Sequence, residues 1–232
     1  MKKTALQGPP RVLIVTDQPL ANFVALTLNH GAYKTRSVET TEAGHEELRE
    51  WRPHLLVVDV DRERVDALDL IGQRVARRRL PTIALTRRGD LKTKLAAFEH
   101  GADDIVTVPF VPEELVARVL ALMRRTYGEA VRFEPVIKVA GLEIDLLEQR
   151  VKSGTSEVRL TSLELALLYL LASNPGQTLA RDEILDALWG ADYVAESNVI
   201  DRHIRNLRMK LGHGARFIGT VPGKGYRFLQ TK

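Results

Sequence analysis

The sequence predicts two domains: an α/β domain built on a doubly wound, five-stranded parallel sheet, and a smaller α+β domain that ends in a basic helix and a hairpin. Its 232 residues are enough for two domains of ordinary size. The first half alternates short β-branched runs with amphipathic runs of helical length, whereas the second half does not. The last 31 residues, 202–232, carry eight Lys or Arg residues and no Asp or Glu.

Five runs in the first half have the composition of strands. In order they are Arg11–Val15, Lys34–Val38, Leu55–Asp59, Thr82–Thr86 and Asp104–Val108. Three of them are almost wholly apolar, as strands covered on both faces should be. Helical patterns follow them at Leu20–Asn29, Thr41–Trp51, Asp66–Arg79, Asp90–His100 and Val111–Tyr127. Such an alternation gives a doubly wound parallel sheet, which binds its ligands at the carboxyl ends of the strands.

The second half begins after a stretch without clear periodicity. We predict a first domain at 10–126, a linker at 127–135 and a second domain at 136–232. Short strand patterns lie at Ile137–Ala140, Leu142–Asp145, Arg150–Lys152 and Val158–Leu160, and helical patterns at Leu163–Ala172, Arg181–Trp189 and Asn198–Leu211. Thr161 and Glu164 fit a capping box before the first helix, and Gly190 fits a C-cap after the second. Phe217–Phe228 has the pattern of a hairpin.

The composition excludes several kinds of protein. The chain has no cysteine, so disulfides, cysteine zinc ligands and thiol nucleophiles are ruled out. No apolar run approaches the roughly 18 residues of a membrane span, and Gly8-Pro-Pro10 interrupts any signal-peptide core. We therefore expect no membrane partner. The net charge of +4 favours nucleic acid only weakly, because the basic excess is local to the C-terminus.

Two carboxylates and a hydroxyl are expected to meet at one edge of the parallel sheet. Asp17 comes at the end of the first strand, Asp59 ends the third and Thr86 ends the fourth. This set suits a divalent cation that prefers oxygen ligands, such as Mg²⁺. The alternative is that Asp17 and Asp59 simply cap the loops that follow. An enzyme is not expected, since no glycine-rich nucleotide loop follows the first strand and no histidine lies near Asp59 in the predicted pocket.

Four motifs carry a resemblance of the first half to a known family. They are Val12–Asp17, Pro53–Asp59, Pro81–Thr86 and Gly101–Phe110. With this spacing, residues 11–125 resemble the receiver domain of two-component response regulators. The resemblance implies that Asp59 is the candidate phosphoacceptor, that Asp17 is one of two metal-binding acids, and that the Thr86 hydroxyl contacts the phosphoryl group. It also implies a sensor histidine kinase as a partner.

The same comparison exposes four departures from the receiver pattern. Thr16 replaces the first of the acidic pair, Val108 replaces the lysine before Pro-Phe, Ile105 replaces the aromatic switch residue, and Glu63 replaces a proline. Loss of a cation about 4 Å from a phosphoryl group forfeits roughly 4 kcal/mol of gross Coulomb energy at an effective dielectric near 20. Asp61 is at best a weak substitute metal ligand. We hypothesise a receiver that is phosphorylated poorly or not at all, with no required cofactor and weak Mg²⁺ binding.

The last helices and strand of the receiver retain the charged residues that make a symmetric dimer in this family. The matching positions are Lys94, Asp103, Asp104, Glu114, Arg118 and Arg125. The alternative is a solvated charged surface, because exposed ion pairs stabilise by only about 0.2–1 kcal/mol each. We predict a homodimer that forms without phosphorylation.

Five motifs follow one another in the second half: Leu160–Glu164, Leu188–Gly190, Val199–Arg208, Lys210–Leu211 and Thr220–Phe228. With them, residues from about 137 onward resemble the winged-helix effector domain of OmpR/PhoB-type regulators, which implies double-stranded DNA as the partner. On the third helix, a buried stripe is predicted at Ile200, Ile204, Leu207 and Leu211.

Three residues of that helix are the candidates for reading bases. Arg202 can bind guanine and Asn206 adenine through paired hydrogen bonds, and Val199 can touch a thymine methyl group. The resemblance places further DNA contacts, to phosphates and from the wing, at Trp189, Asn198, His203, Arg205, Arg208, Thr220, Lys224, Tyr226 and Arg227. Lys224 or Arg227 is expected to reach the minor groove, because Pro222 occupies a position that is usually arginine. The alternative for the whole basic run is a solvated surface.

The two resemblances together imply a cytoplasmic, homodimeric transcription regulator that binds tandem half-sites, head to tail, with RNA polymerase as a further partner. The first alternative is a conventional phosphorelay switch in which a sensor histidine kinase phosphorylates Asp59. The second is a scaffold that binds protein instead of DNA. The sequence does not identify the operator or the direction of regulation.

Overall fold

The computed structural model describes residues 9–28, 33–61, 67–75, 78–128, 136–139, 141–146, 148–189 and 198–229. For Ala67 and Trp189 it describes the backbone but not the side chain. The chain divides into two compact units, one of residues 1–110 with 114–134 and one of residues 111–113 with 135–232. Most of the predicted linker, 129–135, and the predicted C-cap Gly190 lie outside the described residues.

A five-stranded parallel sheet forms the centre of the first unit. The strands of this unit are β1 (Arg11–Val15), β2 (Lys34–Val38), β3 (Leu55–Asp59), β4 (Arg74–Val75), β5 (Arg78–Arg79), β6 (Thr82–Thr86) and β7 (Asp104–Thr107). The sheet has the order β2-β1-β3-β6-β7. Strands β3 and β6 are buried along their whole length, as their apolar composition predicts. The predicted doubly wound sheet is therefore confirmed.

Helices connect these strands. They are α1 (Gln18–Leu28), α2 (Thr41–Glu50), α3 (Ala67–Leu70), α4 (Leu91–His100) and α5 (Pro112–Tyr127). Helix α4 begins where the Asp90 carboxylate accepts the Thr93 N–H, and it ends at Gly101, whose φ of 110° is left-handed. Both ends match the predicted helix within one residue.

The predicted third helix, Asp66–Arg79, is wrong. Among the described residues, only the single turn α3 is helical, and β4 and β5 form a short antiparallel hairpin in its place. The helix stops because Gly72 adopts a φ of 78°, and an added Cβ there would lie 2.8 Å from the carbonyl oxygen of His100. The Leu80 N–H then donates to the Gln73 carbonyl at 2.9 Å and closes the hairpin. The helical propensity of the run does not override this tertiary contact, because propensities differ by only about 1 kcal/mol per residue or less.

The second unit combines two antiparallel sheets with three helices. Its elements are β8 (Val136–Val139), β9 (Leu142–Asp145), β10 (Arg150–Ser153), β11 (Ser156–Arg159), α6 (Ser162–Ser173), β12 (Thr178–Ala180), α7 (Arg181–Trp189), α8 (Val199–Leu211), β13 (Ile218–Val221) and β14 (Gly225–Phe228). A 3₁₀ turn, Gly212–Phe217, joins α8 to β13. The first sheet has the order β11-β10-β9-β8 and the second β12-β14-β13. This is the predicted winged-helix arrangement, with β13 and β14 as the wing.

Helix α6 is the centre of the second core. Its capping box is present as predicted, with Thr161 accepting the Glu164 N–H and the Glu164 carboxylate accepting the Thr161 N–H. Apolar residues cover all of its sides, so eight consecutive positions from Leu165 to Ala172 are buried.

A close backbone approach joins the wing to strand β12. A Cβ on Gly225 would lie 2.0 Å from the carbonyl oxygen of Leu179, so no side chain fits at this position. The sequence patterns did not predict β12, whose three residues are too few for an alternation to be visible.

Candidate functional sites: an acidic pocket and a nucleic-acid interface

Asp59 lies at the carboxyl end of β3 and is 0% exposed. Its carboxylate accepts a hydrogen bond from the Thr16 hydroxyl to Oδ2 at 3.1 Å and one from the Asp61 N–H to Oδ1 at 3.0 Å. Thr16, which stands where the family pattern has an acid, is thus a donor to the candidate phosphoacceptor.

The side chain of Arg87 enters this pocket and pairs with Asp59. Its Nη1 donates to Asp59 Oδ2 at 2.7 Å, and its Nη2 lies 3.8 Å from Asp17 Oδ2. Burial on its own would lower the pKa of Arg87, but the Asp59 carboxylate raises that pKa above its usual value, so the guanidinium is charged. The sequence analysis missed Arg87. The only signal was a pair of arginines directly after β6, which does not indicate where either side chain points.

Thr86 and Asp61 form a second pair at the same edge of the sheet. The Thr86 hydroxyl donates to the two Asp61 carboxylate oxygens at 3.0 and 3.1 Å, and the Arg87 N–H donates to Asp61 as well. The hydroxyl expected to contact a phosphoryl group is therefore directed at a carboxylate of the same chain.

Asp17 lies two residues beyond the end of β1 and caps α1. Its carboxylate accepts the Leu20 N–H at 3.2 Å, and its carbonyl accepts the Ala21 N–H at 2.8 Å. Capping was the alternative interpretation of this residue, and it holds here together with the approach of Arg87.

The predicted magnesium ligands do not fit a divalent cation in this arrangement. Mg²⁺ needs near-octahedral oxygen ligands at about 2.0–2.1 Å. The carboxylates of Asp17, Asp59 and Asp61 are engaged by main-chain N–H groups, hydroxyls or Arg87, and a guanidinium stands between Asp17 and Asp59. In the described part of the chain, no three Asp, Glu or His side chains form a group that could hold a metal ion.

The remaining departures from the receiver pattern lie inside the domain. Val108, at the position of the family lysine, is buried. Ile105, at the aromatic switch position, packs against the hydrophobic core beside the sheet. Glu63 lies outside the described residues.

Part of the predicted dimer face is paired within the chain. Arg118 Nη1 lies 3.1 Å from Asp104 Oδ1, and its Nη2 lies 2.9 Å from Glu114 Oε1. Asp103 accepts the Thr82 N–H at 2.9 Å. Lys94 is half-buried and Arg125 exposed.

Helix α4 carries an apolar stripe on its solvent side that the sequence analysis did not single out. Leu91, Leu95 and Phe98 are 70%, 49% and 48% exposed. Their spacing of four and three residues places them on one face of the helix.

Helix α8 has the predicted two faces. Its buried residues are Val199, Ile200, Ile204, Leu207 and Leu211. On the opposite side Arg202 and Arg205 are exposed, Asn206 is half-buried, and Met209 is 65% exposed. Arg202, Asn206 and Met209 follow one another at i, i+4 and i+7, and so form one outward stripe.

The structure places Val199 on the inside instead. It is 6% exposed, because the first turn of α8 already packs against the domain core, and its side chain is not available to a thymine methyl group here. Met209 is the apolar side chain on the outward stripe. The helical periodicity that predicted the buried stripe also predicts that Met209 is exposed, since it falls on the same side of α8 as Arg202.

Arg208 connects α8 to the wing. Its Nη2 donates to the Ile218 carbonyl at 2.7 Å and to the Thr220 hydroxyl at 2.8 Å, and its Nε also donates to Ile218. Two of its nitrogens are therefore engaged within the chain at a position where a phosphate contact was predicted.

Tyr226 also differs from its predicted place on the wing surface. Its ring is buried and its hydroxyl donates to Asp201 of α8. Asp201 accepts a further bond from Arg181 of α7 at 2.9 Å. The ring therefore holds three elements together and is not exposed to a phosphate.

The other predicted contacts lie on or near the surface. Asn198, Arg205, Thr220, Lys224 and Arg227 are exposed. His203 is half-buried, and burial together with the neighbouring Arg202 lowers its pKa, so it is neutral at pH 7. The Trp189 side chain lies outside what the structure describes.

Comparison with known proteins agrees with both halves of the fold. Residues 12–120 match the family model described as response regulator receiver domain, and residues 155–228 match the model described as transcriptional regulatory protein, C terminal. The chain is 34% identical to the phosphate regulon transcriptional regulatory protein PhoB of Klebsiella pneumoniae over 94% of this chain and 97% of PhoB. The chain belongs to the OmpR/PhoB family of response regulators.

Two further relatives cover nearly the whole chain. The transcriptional regulatory protein PrrA of Mycobacterium tuberculosis is 36% identical over 94% of this chain and 95% of its own. The response regulator ArlR of Staphylococcus aureus is 36% identical over 93% of this chain and 98% of its own. This OmpR/PhoB-family protein is thus a DNA-binding transcription regulator of the response-regulator type, and its relatives are regulators and not enzymes. Within the described residues, every helix is too short or too polar to cross a membrane.

Proposed function

We propose that this regulator acts in the cytoplasm as a homodimer and binds its operator without phosphorylation. The observation that carries the DNA part is the outward face of α8, where basic and amide side chains stand opposite a fully buried stripe. An α-helix of this kind fits the major groove, where every base pair presents a distinct pattern of donors and acceptors.

In the proposed complex, Arg202 and Asn206 read bases. They are one helical turn apart, so both reach into one groove, Arg202 to a guanine and Asn206 to an adenine. Met209, one turn further along, replaces Val199 as the apolar contact to a thymine methyl group, because it is 65% exposed.

The phosphate contacts come from the exposed residues beside this stripe. We assign them to Asn198, Arg205 and Thr220, with Lys224 or Arg227 of the wing reaching the minor groove. Arg208 and Tyr226 act indirectly, since they fix the wing against α8.

The dimer is proposed to form through α4, β7 and α5 of the receiver. Leu91, Leu95 and Phe98 supply exposed apolar area there, and burial of such area drives association more strongly than surface ion pairs do. Lys94 and Arg125 are proposed to pair with acidic side chains of the partner protomer across a two-fold axis. Arrangement on tandem half-sites follows from the family resemblance, and RNA polymerase is the further partner proposed.

Independence from phosphorylation is supported by the pocket chemistry. Val108 offers no cation to a phosphoryl group, and Thr16 offers a hydroxyl where a metal ligand is usual. The alternative remains a conventional switch with Asp59 phosphorylated by a sensor histidine kinase. Incubation with acetyl phosphate and Mg²⁺, followed by intact mass measurement, separates the two. Efficient addition of one phosphoryl group to Asp59 contradicts the proposal.

One experiment tests the main claims together. Unmodified protein is used to select sequences from a pool of random duplexes, and the enriched sequences are aligned. We expect paired half-sites in tandem with fixed spacing. Failure to retain any duplex even at low ionic strength contradicts DNA reading and favours the protein-binding scaffold. Single half-sites contradict the dimer.

A further inference from the structure

We propose that Arg87 is a built-in counterion that takes the place of a divalent cation in the acidic pocket and so closes Asp59 to metal-dependent phosphoryl transfer. The inference rests on the proposed independence from phosphorylation and gives it a physical cause beyond the missing lysine and acid. It concerns a residue that the receiver motifs do not single out.

Three donors of the same chain already engage the Asp59 carboxylate. A carboxylate has about four lone-pair positions. Three donors already occupy this one: the Thr16 hydroxyl, the Asp61 N–H and the Arg87 guanidinium, all within 3.1 Å. A fully buried carboxylate is unfavourable unless it is paired and hydrogen-bonded, and Arg87 supplies the pairing charge.

Arg87 is anchored at its backbone. Its N–H donates to the Asp61 carboxylate, which also holds the Thr86 hydroxyl. The side chain therefore starts from a fixed point at the end of β6, and less conformational freedom remains to be lost when the guanidinium enters the pocket.

Arg88, the next residue, does not enter the pocket as Arg87 does. Arg88 has the same side chain, but it is 69% exposed and approaches Asp61 only to 3.9 Å. Of two adjacent arginines, only Arg87 reaches the buried carboxylate. Arg88 is thus a matched control for charge and size.

The Arg87 guanidinium competes with a metal ion for the space between Asp17 and Asp59. An ion between Asp17 and Asp59 would stand beside the guanidinium, which lies 2.7 Å from one carboxylate and 3.8 Å from the other. Repulsion between two positive charges at this range is strong in a buried site. The pocket therefore accommodates either the Arg87 guanidinium or a divalent cation, but not both.

The hydrogen bonds to Asp59 also make its carboxylate a poorer nucleophile. Phosphoryl transfer from acetyl phosphate would form a bond between an Asp59 oxygen and phosphorus, break the bond from phosphorus to the acetate oxygen and release acetate. Oδ2 is covered by Thr16 and Arg87, and Oδ1 by the Asp61 N–H. At most one lone pair, on Oδ1, is therefore left to attack phosphorus, and Arg87 takes the place of the metal ion that would neutralise the charge of the donor.

The test measures binding of Mn²⁺, as a paramagnetic substitute for Mg²⁺, to the full-length protein by electron paramagnetic resonance. The variants are Arg87→Ala, Arg87→Met and Arg88→Ala. We expect Arg87→Ala and Arg87→Met to bind Mn²⁺ at least about tenfold more tightly than the unmodified protein, because removal of one close positive charge is worth more than this factor. Arg88→Ala should bind like the unmodified protein. Arg87→Met keeps the apolar stem and guards against a general loss of folding.

Thermal unfolding provides a second readout. Mg²⁺ should raise the melting temperature of Arg87→Ala and Arg87→Met relative to the same samples in EDTA, and should leave the unmodified protein unchanged. Equal ion binding by the unmodified protein and the Arg87 variants overturns the inference, whether that binding is tight or absent. If neither the unmodified protein nor the Arg87 variants bind Mn²⁺, and the unmodified protein is not phosphorylated by acetyl phosphate, only the role of Arg87 is contradicted. If the unmodified protein is phosphorylated efficiently, the proposed function itself fails.

Discussion

Arg208 in helix α8 donates hydrogen bonds from both Nε and Nη2 to the main-chain carbonyl of Ile218, the first residue of the wing. Helix α8 and the wing are therefore joined by a basic side chain. A change at this position alters the geometry of the interface as well as its charge.

Arg208→Ala should lower the free energy of unfolding by about 1–3 kcal/mol, because it leaves the buried Ile218 carbonyl without its partner. DNA affinity should fall for all sequences alike. Since the guanidinium is engaged with the wing, we expect the dependence of affinity on salt to change little. Urea unfolding and DNA titrations at several salt concentrations measure these effects.

Arg205→Ala is the matched control for that experiment. Arg205 is exposed, so its removal should leave stability unchanged and reduce the salt slope by about one unit, as expected for a lost phosphate contact. A full unit of slope lost in Arg208→Ala would instead support the direct phosphate contact predicted from the family resemblance.

Arg202→Ala should relax base preference at a single operator position and cost about 1–3 kcal/mol in binding to the preferred sequence. The reason is the loss of a paired hydrogen bond to one guanine. Competition between the selected operator and its single-base variants measures the effect. Unchanged affinity together with unchanged preference would remove Arg202 from the reading face.

Acid should destabilise the winged-helix domain through Glu164. Burial raises the pKa of this carboxyl, but the hydrogen bonds from Lys210 and the Thr161 main chain lower it more, so its folded pKa lies below the ordinary 4.5. Such a group stabilises the fold above its unfolded pKa, and the contribution is lost as pH falls through the folded value. The loss should therefore begin below about pH 4.5.

Glu164→Gln should remove part of this acid sensitivity and reduce stability at pH 7. Urea titrations at neutral and acid pH test it. Glu157→Gln is the control, because Glu157 forms only a surface pair with Arg150. An identical pH dependence in Glu164→Gln and the unmodified protein would contradict the assignment.

Leu95→Asp should convert the proposed dimer into a monomer, because it places a charge in the middle of the apolar stripe on α4. Sedimentation velocity at micromolar concentrations measures the change. Val136→Asp, at an apolar site of similar exposure in the other unit, should leave the dimer intact. If the unmodified protein already sediments as a monomer, the proposed dimer is wrong.

Long periodic elements could be predicted from the sequence, and short ones could not. Strand β3 and helix α4 are predicted within one residue, because a run of apolar residues and a helical periodicity are local signals. The hairpin after α3 was missed, since the packing of Gly72 against His100 decides it and that contact is not local in sequence. Strand β12 exists only because the wing lies beside it.

The residues of the candidate sites could also be predicted only in part. The residues at the carboxyl edge of the sheet were predicted, because strand ends fix where Asp59 and Thr86 lie. The direction of a long side chain is not fixed by its position, so Arg87 was missed. The burial of Val199 was not predicted, because periodicity gives the face of a helix but not how closely its first turn packs.

The contact between Gly225 and the Leu179 carbonyl limits how this regulator can acquire new operators. Natural variation or a mutagenesis library can alter Pro222 and Lys224 of the wing tip, whose side chains are exposed, and the outward stripe of α8. Position 225 is closed to larger residues by the backbone of β12, which cannot move away without breaking its pairing with β14. New operator specificities must therefore come from changes to exposed residues of α8 and the wing tip, while Gly225 is kept.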